Sequence, residues 1–488
     1  MVRDRGALRP GSGGPAAGIV LALACAAQFM VVLDVSVINV ALPSIQHGLG
    51  FDPAGLQWVA GAYALVFGGS LLLGGRLADL YGHRRVFAAG LGLFTVASLA
   101  GGLATTAGLL VAGRAVQGLG AAVLAPATLT LLTATFAEGV RRTRALAVWT
   151  AVSLAGGAAG NLLGGALTQY LTWRSTLLIN VPIGVIALGL AATALPVDRA
   201  RTQAGGGRLD VAGAILATAG LIAVTYGITT AQTRGWGDVV TAVALATGLA
   251  ALAAFVVVEA RMARRPLVPP RLVRRRAIWL GNVVMLLSGA VFQVPMWYFL
   301  TLYMQDVLGF GPLATGFGFL PHTLVMLLVG LRVTPWLMRR VPHRALIVAG
   351  ALVAAAGFAW QSGITAGSTY TSAVLGPAVL LSVGGGLFNT PLTATVTSGV
   401  PPADAGAASG LMNTAKQAGG GLGLAALLAL TTTPARTPQA LATAYGHAFA
   451  ISAGALVAVA VLAFALPARR DDAAPSSAPE PAGRRPTT

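Results

Sequence analysis

Long apolar runs separated by short arginine-bearing segments decide what this chain can fold into. A helix crosses a bilayer with about 20 apolar residues. Such spans can be placed near 17–42, 56–75, 86–104, 108–133, 145–168, 175–195 and 210–229. Seven more follow near 238–259, 278–303, 313–337, 345–363, 372–397, 406–430 and 444–466. The same runs exclude a barrel, whose strands alternate apolar and polar residues over about ten positions. In lipid every backbone amide has to be paired within its own segment, which a helix does. Composition agrees: 56% of the 488 residues are hydrophobic and 9% charged, against about 25% charged in soluble proteins. The first span follows Arg3, Arg5 and Arg9 and runs well past a signal-peptide core, so it reads as an uncleaved helix.

The net charge is +18. In a soluble protein that would suggest nucleic acid. Here the cations alternate with the spans. With fourteen spans, 26 of the 32 basic residues fall on the two tails and on the loops after even-numbered spans. Only Arg174, Arg234 and Arg436 lie on the other side, and Arg114, Arg332 and Lys416 lie within spans. Positive charge collects on the cytoplasmic side. Both tails are therefore expected in the cytoplasm of a bacterial cell, the partners being the bilayer and a small molecule, with no nucleic acid. A monomer is expected.

The largest breaks, 196–209 and 260–277, flank the seventh and eighth spans. The expected organisation is an N-tail (1–15), a six-helix bundle (16–195), an inserted helix pair with its loops (196–276), a second six-helix bundle (277–466) and a Pro/Ala/Ser-rich disordered tail (467–488). Parallel halves of six helices form the transporter arrangement in which substrate sits at mid-membrane between the halves. The glycine runs Gly156–Gly160 and Gly419–Gly423 are a faint repeat between them.

One carboxylate, Asp34, stands inside the first span, in the run Leu33-Asp34-Val35-Ser36-Val37-Ile38-Asn39-Val40-Ala41-Leu42-Pro43. Burial there disfavours its charged form, the property needed for loading and unloading a proton. A structural hydrogen bond within the bundle is the other reading. After the second span, Gly74-Gly75-Arg76-Leu77-Ala78-Asp79-Leu80-Tyr81-Gly82-His83-Arg84-Arg85 joins small residues, an acid and cations. Asp79 can meet a helix N-terminus or an arginine and lock one conformation. Further polar or aromatic residues within spans are Gln28, Asn39, Tyr63, Gln117, Asn282, Gln293, Trp297, Tyr298, His322, Asn389, Asn413, Lys416 and Gln417. Among apolar walls these are candidates to line a cavity for hydrophobic ligands, and packing between helices is the alternative for each. Trp297 and Tyr298 also suit an interfacial belt. Lys416, the sole lysine, either pairs with a carboxylate or anionic substrate or snorkels to the membrane edge. No phosphate-binding Gly-x-x-x-x-Gly-Lys-Ser/Thr run exists. The five scattered histidines and single cysteine, Cys25, offer neither a metal site nor a catalytic cluster. An ion gradient, with no cofactor, is the expected energy source, and no enzyme is expected.

Residues Gly74 to Arg85 resemble the signature loop between helices 2 and 3 of the major facilitator superfamily. Leu33 to Pro43 resembles the first-helix motif of its fourteen-helix drug:proton antiporter branch, the multidrug resistance exporters. Arg114 with Gln117, Gly118 and Gly120 is similar to the helix 4 motif, and Trp173-Arg174 with Ile179-Asn180-Val181-Pro182-Ile183-Gly184 to the helix 6 hallmark. Tyr303 to Gly309 and Ser409 to Thr414 are similar to patterns of the second half. The resemblance covers about residues 16–466. It implies an all-α fold of two rocking six-helix bundles plus an inserted pair, and efflux of drugs or antibiotics. Asp34 would be the proton-linked acid, with Arg114 modulating it; Gly75, Asp79, Gly82, Arg84 and Arg85 would gate the cytoplasmic side. Two departures stand out. The helix 5 motif, with Gly156, Gly160, Asn161, Gly164 and Gly165, has Asn161 where the family usually has proline, which slightly weakens export against a metabolite importer or uniporter of the same fold. The second-half copy of the gate, near Pro335 to Arg344, lacks its acid and glycine. A non-transporting membrane protein is the reading from another class.

Overall fold

The computed structural model describes residues 15–136, 140–195, 211–262, 270–398, 400, 404–431 and 437–467. These form fourteen membrane-length helices, with no strand among the described residues. The first half comprises α1 (Pro15–Leu49), α2 (Pro53–Tyr81), α3 (His83–Gly102), α4 (Ala107–Thr135), α5 (Val140–Tyr170) and α6 (Ser175–Ala194). Then come α7 (Val211–Arg234) and α8 (Val239–Val257). The second half comprises α9 (Arg276–Val307), α10 (Pro312–Met338), α11 (His343–Gln361), α12 (Thr371–Thr397), α13 (Ala405–Thr431) and α14 (Pro438–Ala463). Thirteen are both long and apolar enough to cross a membrane. The other, α13, is 27 residues long, but Asn413, Lys416, Gln417 and its glycines dilute its hydropathy.

Local chemistry sets the helix ends. The Thr106 hydroxyl accepts from the Leu109 N–H at 3.3 Å to cap α4, and the Asp238 carboxylate accepts from the Val240 N–H at 2.9 Å to cap α8. The chain turns from α2 into α3 through Gly82 alone, at φ 91°, a region open chiefly to glycine. Most of the expected tails (1–14 and 468–488) and the loop 196–210 lie outside the described residues.

In the first half α4 packs on both α2 and α3, and α1 on α5. The α1–α5 contact is nearly backbone to backbone: a Cβ on Gly164 would sit 2.9 Å from the Val37 Cα and carbonyl oxygen. Small residues permit such approach between membrane helices. Gly164→Leu is therefore expected to cost about 1–3 kcal/mol through forced separation, lowering the thermal midpoint of the purified protein. Gly189→Ala on α6, where a Cβ meets nothing within 4 Å, should leave that midpoint unchanged or slightly raised. Equal losses in both variants would contradict this.

In the second half α11 packs on α12 and α14, α10 on α12, and α9 on α13. The α7–α8 hairpin lies across the seam, with α7 against both α2 and α13. Leu65, Leu221 and Ala418, one from each of these helices, share a small core, and the Gln57 side-chain amide donates to the Thr229 hydroxyl at 3.1 Å.

The halves meet in two ways. Along α2–α13 the Thr414 hydroxyl donates to the Gly68 carbonyl at 2.7 Å. At the face opposite the arginine-rich one, α1 and α5 close against α9 and α10. There the Gln305 amide donates to the Val40 carbonyl at 2.8 Å, and the Gln169 Oε1 accepts from the Leu313 N–H at 3.3 Å. Gly165 lies against Pro312 and Leu313, and Gly316 against the Asn161 backbone. The other extensive contact between the halves is along α2–α13. The groove between the halves is thus sealed at one face.

Candidate functional site

The α1 stretch carrying Asp34 presents two faces. Phe29, Leu33, Ser36 and Val37 receive the glycines of α5, and Asp34 turns into the first bundle, fully buried. The Arg114 Nη1 donates to the Asp34 Oδ2 at 2.5 Å. The Gln117 Nε2 and the Asn180 Nδ2 both donate to Oδ1, at 2.7 and 2.9 Å. Arg114 is bound in turn: its Nε donates to the Val59 carbonyl at 2.9 Å, and its Nη1 to the Gln117 Oε1 at 2.6 Å. Its guanidinium lies 4.4 Å from the centre of the Tyr63 ring. Gln117 also donates to the Ser98 hydroxyl at 2.8 Å, which donates to the Phe94 carbonyl at 2.7 Å. One carboxylate and one guanidinium are joined through five helices, α1, α2, α3, α4 and α6. Desolvating two ions is costly, and it is offset here because each has other hydrogen-bond partners.

Sequence geometry explains this assembly in part. Arg114 and Gln117 are three apart on α4 and share a face. Asn180 follows the short break in α6 after Leu178, which brings its amide onto Asp34. Two polar atoms of the cluster, the Tyr63 hydroxyl and the Asn180 Oδ1, are buried without a hydrogen-bond partner among the described residues. Asn180 and Ser98 were not expected as site residues.

Several cavity candidates are buried. Tyr63 and Gln117 are buried in the first bundle, both against Arg114. Tyr298 belongs to the second-half core beside Phe299, and Asn282 is buried, donating to the Ile278 carbonyl of its own helix at 2.8 Å. The others keep part of their surface. Gln28 and Asn39 fall on the same α1 stripe as Val35, which is 40% exposed. On α9, Gln293 and Trp297 are half-buried. They lie on wide-wound turns around Pro295, whose missing N–H prevents a regular α-helical ladder. The Trp297 ring lies 5.0 Å from Phe319 and 5.8 Å, edge-on, from His322. His322 itself is buried against the Ser382 hydroxyl, 2.7 Å from its Nδ1. Asn389 is half-buried and donates to the Gly385 carbonyl; Asn413 is exposed and donates to the Ser409 carbonyl. Lys416 and Gln417 are half-buried.

Of the expected gate, the Arg84 Nη2 donates to the Ala192 carbonyl at the end of α6 at 2.6 Å, and Arg85 is exposed. The Asp79 side chain and the surroundings of Gly75 lie outside what is described. In the helix 5 motif, Gly156, Gly160 and Gly164 face α1, and Gly165 faces α10. Asn161 is buried there with neither amide atom hydrogen-bonded to a described residue, and α5 runs unbroken through it. A further pair was not anticipated: Arg271, after α8, donates from Nε and Nη2 to both oxygens of Asp404 at 2.8 and 2.7 Å. This fork ties the linker behind α8 to the start of α13. Among the described residues no cluster of His, Cys, Asp and Glu could hold a metal ion.

The family model described as Major Facilitator Superfamily matches residues 24–424. A cephamycin export protein of Amycolatopsis lactamdurans is 58% identical over 471 residues, 96% of each chain. A puromycin resistance protein of Streptomyces alboniger is 40% identical over 471 residues, covering 94% of this chain and 92% of its own. A tetracenomycin C resistance and export protein of Streptomyces glaucescens is 35% identical over 400 residues, covering 82% and 73%. Among solved structures, a peptide transporter crystallised with sulfate superposes with a TM-score of 0.67 at 17% identity, over 94% of this chain and 95% of that one. That likeness concerns the fold alone.

Proposed function

Because the chain belongs to the major facilitator superfamily, we propose that it is a proton-coupled antiporter exporting small antibiotic-type molecules across the cytoplasmic membrane of a bacterium. The arginine-rich face, with both tails, lies in the cytoplasm, and the protein works as a monomer without a cofactor. The names of the relatives supply the first cargo to try, a cephamycin.

One observation carries the reading. The same turns of α1 hold Asp34 on the bundle side and the partly exposed Gln28, Val35 and Asn39 on a separate stripe, which in this reading lines the groove. Rotation or tilt of α1 therefore changes both at once. With the outer face sealed, Asp34 is the ion-paired partner of Arg114. A proton reaching Asp34 from outside cancels the pair's attraction and lets Arg114 and α1 separate. Cargo entering from the cytoplasm fills the groove and favours the ion-paired arrangement. Proton and cargo thus stabilise opposite states, which is what exchange requires. Entry of one proton down a membrane potential supplies about 2.3 kcal/mol per 100 mV.

In everted membrane vesicles with an acidic interior, the chain should accumulate a radiolabelled cephamycin, and collapsing the pH gradient should release it. Accumulation that ignores the collapse would remove proton coupling. Movement only in the opposite direction would favour the importer, the alternative that Asn161 in place of the usual proline keeps in view.

A further inference from the structure

Lys416 is the only lysine of the chain, and the contacts of α13 fix where it points. Thr414, Gln417 and Gly421 face α2 at Gly68 and Leu65. Gly419 and Gly423 face the α9 backbone at Leu286 and Ala290. Ala418 and Leu422 face α7. The remaining stripe is Asn413, Lys416 and Gly420, spaced as one helical face. Asn413 is exposed, Lys416 is half-buried, and a Cβ on Gly420 would meet nothing within 4 Å. By rotation around α13, this stripe looks out between α2 and α9, into the groove between the halves and below its sealed end.

No hydrogen bond or ion pair to a described residue engages the Lys416 ammonium. Asp34 is turned away into the first bundle on Arg114. Asp404 is occupied by Arg271, and Asp306 sits toward the sealed end of α9. The polar residues on the neighbouring groove stripes, Gln28, Asn39 and Gln293, are neutral amides. Among the described residues the groove thus carries a cation with no anion to balance it. A charge held away from bulk water without a counter-ion is unfavourable, and a cargo that brings the counter-ion relieves it. Lys416 lies level with Gly289 on α9. Gln293 and Trp297 stand about one and two turns further toward the sealed end, and Trp297 is backed by Phe319. The groove is therefore polarised along its axis, cationic at Lys416 and aromatic above it.

We propose that the groove selects organic anions: Lys416 binds a carboxylate of the cargo while Trp297 receives its apolar body. This specificity rests on the export reading and is tested so that the two fail separately. The full chain in proteoliposomes, as wild type, Lys416→Arg and Lys416→Met, is given a pH gradient and three probes. These are a cephamycin as its free carboxylate, the methyl ester of the same compound, and puromycin. The wild type should move the acid at least tenfold faster than the ester. Lys416→Arg should keep that preference. Lys416→Met should lose it, with the acid slowed at least tenfold and the thermal midpoint within a few degrees of wild type. Equal transport of acid and ester by the wild type, or an undiminished preference in a folded Lys416→Met, would overturn the assignment and leave export standing. A Lys416→Met that unfolds passes the decision to the wild-type preference and to Lys416→Arg. Transport of none of the three by the wild type would overturn export itself.

Discussion

Asp34→Asn should stop proton-driven accumulation while leaving the protein folded. One exchanged proton supports about tenfold accumulation of a neutral cargo for each pH unit imposed; the variant should show none, whatever the gradient. The asparagine oxygen can still accept from Arg114, and the guanidinium keeps the Gln117 oxygen, the Val59 carbonyl and the Tyr63 ring. The guanidinium nevertheless loses its counter-ion inside the bundle, so the loss of stability should be about 3–5 kcal/mol, as for a buried pair broken from one side. Transport in reconstituted vesicles and thermal unfolding of the same preparation check the two halves of this expectation. A variant that still follows the pH gradient would show that Asp34 does not carry the proton.

Arg114→Ala breaks the same pair from the other side. It leaves Asp34 buried with only the neutral donors Gln117 and Asn180, and breaking a buried pair from one side costs about 3–5 kcal/mol. Purified Arg114→Ala should unfold at a markedly lower temperature. Adding Asp34→Asn should recover much of that loss, because the orphaned charge is gone, and should recover no transport. Coupling of this kind between touching residues is what a double-mutant cycle reads. Strictly additive losses would mean that the two side chains stabilise the bundle independently.

Much of this architecture was legible before any coordinates. The apolar runs gave the fourteen helices because lipid leaves the backbone no other partner, and the arginine alternation fixed their count. What hydropathy blurs is the extent of each helix. Helix α1 continues through Pro43 to Leu49, and α9 starts at Arg276 and runs to Val307, since amphipathic ends beyond the lipid carry little apolar signal. Asp34 and Arg114 stood out because charge in a span is rare. The rotation of each helix about its own axis did not. Gln117 looked like a cavity residue, although its i+3 spacing from Arg114 already placed both on one face. Tyr63 and Asn180 join the cluster through contacts far apart in sequence, which no period encodes. The same holds for Arg271 and Asp404, 133 residues apart. Asn161 was noticed as a departure. That it lies buried against α10 with an amide unpaired among the described residues depends on how the two halves close, and neither half's sequence contains that.

A carboxyl group in the first bundle gives up its proton when the groove takes cargo. Adding a cephamycin to the purified protein in weakly buffered detergent solution, with a pH indicator present, tests this most directly. The prediction is that cargo binding releases protons from the wild type and none from Asp34→Asn that still binds. Saturating binding with no proton released at any pH between 5 and 9 would contradict it.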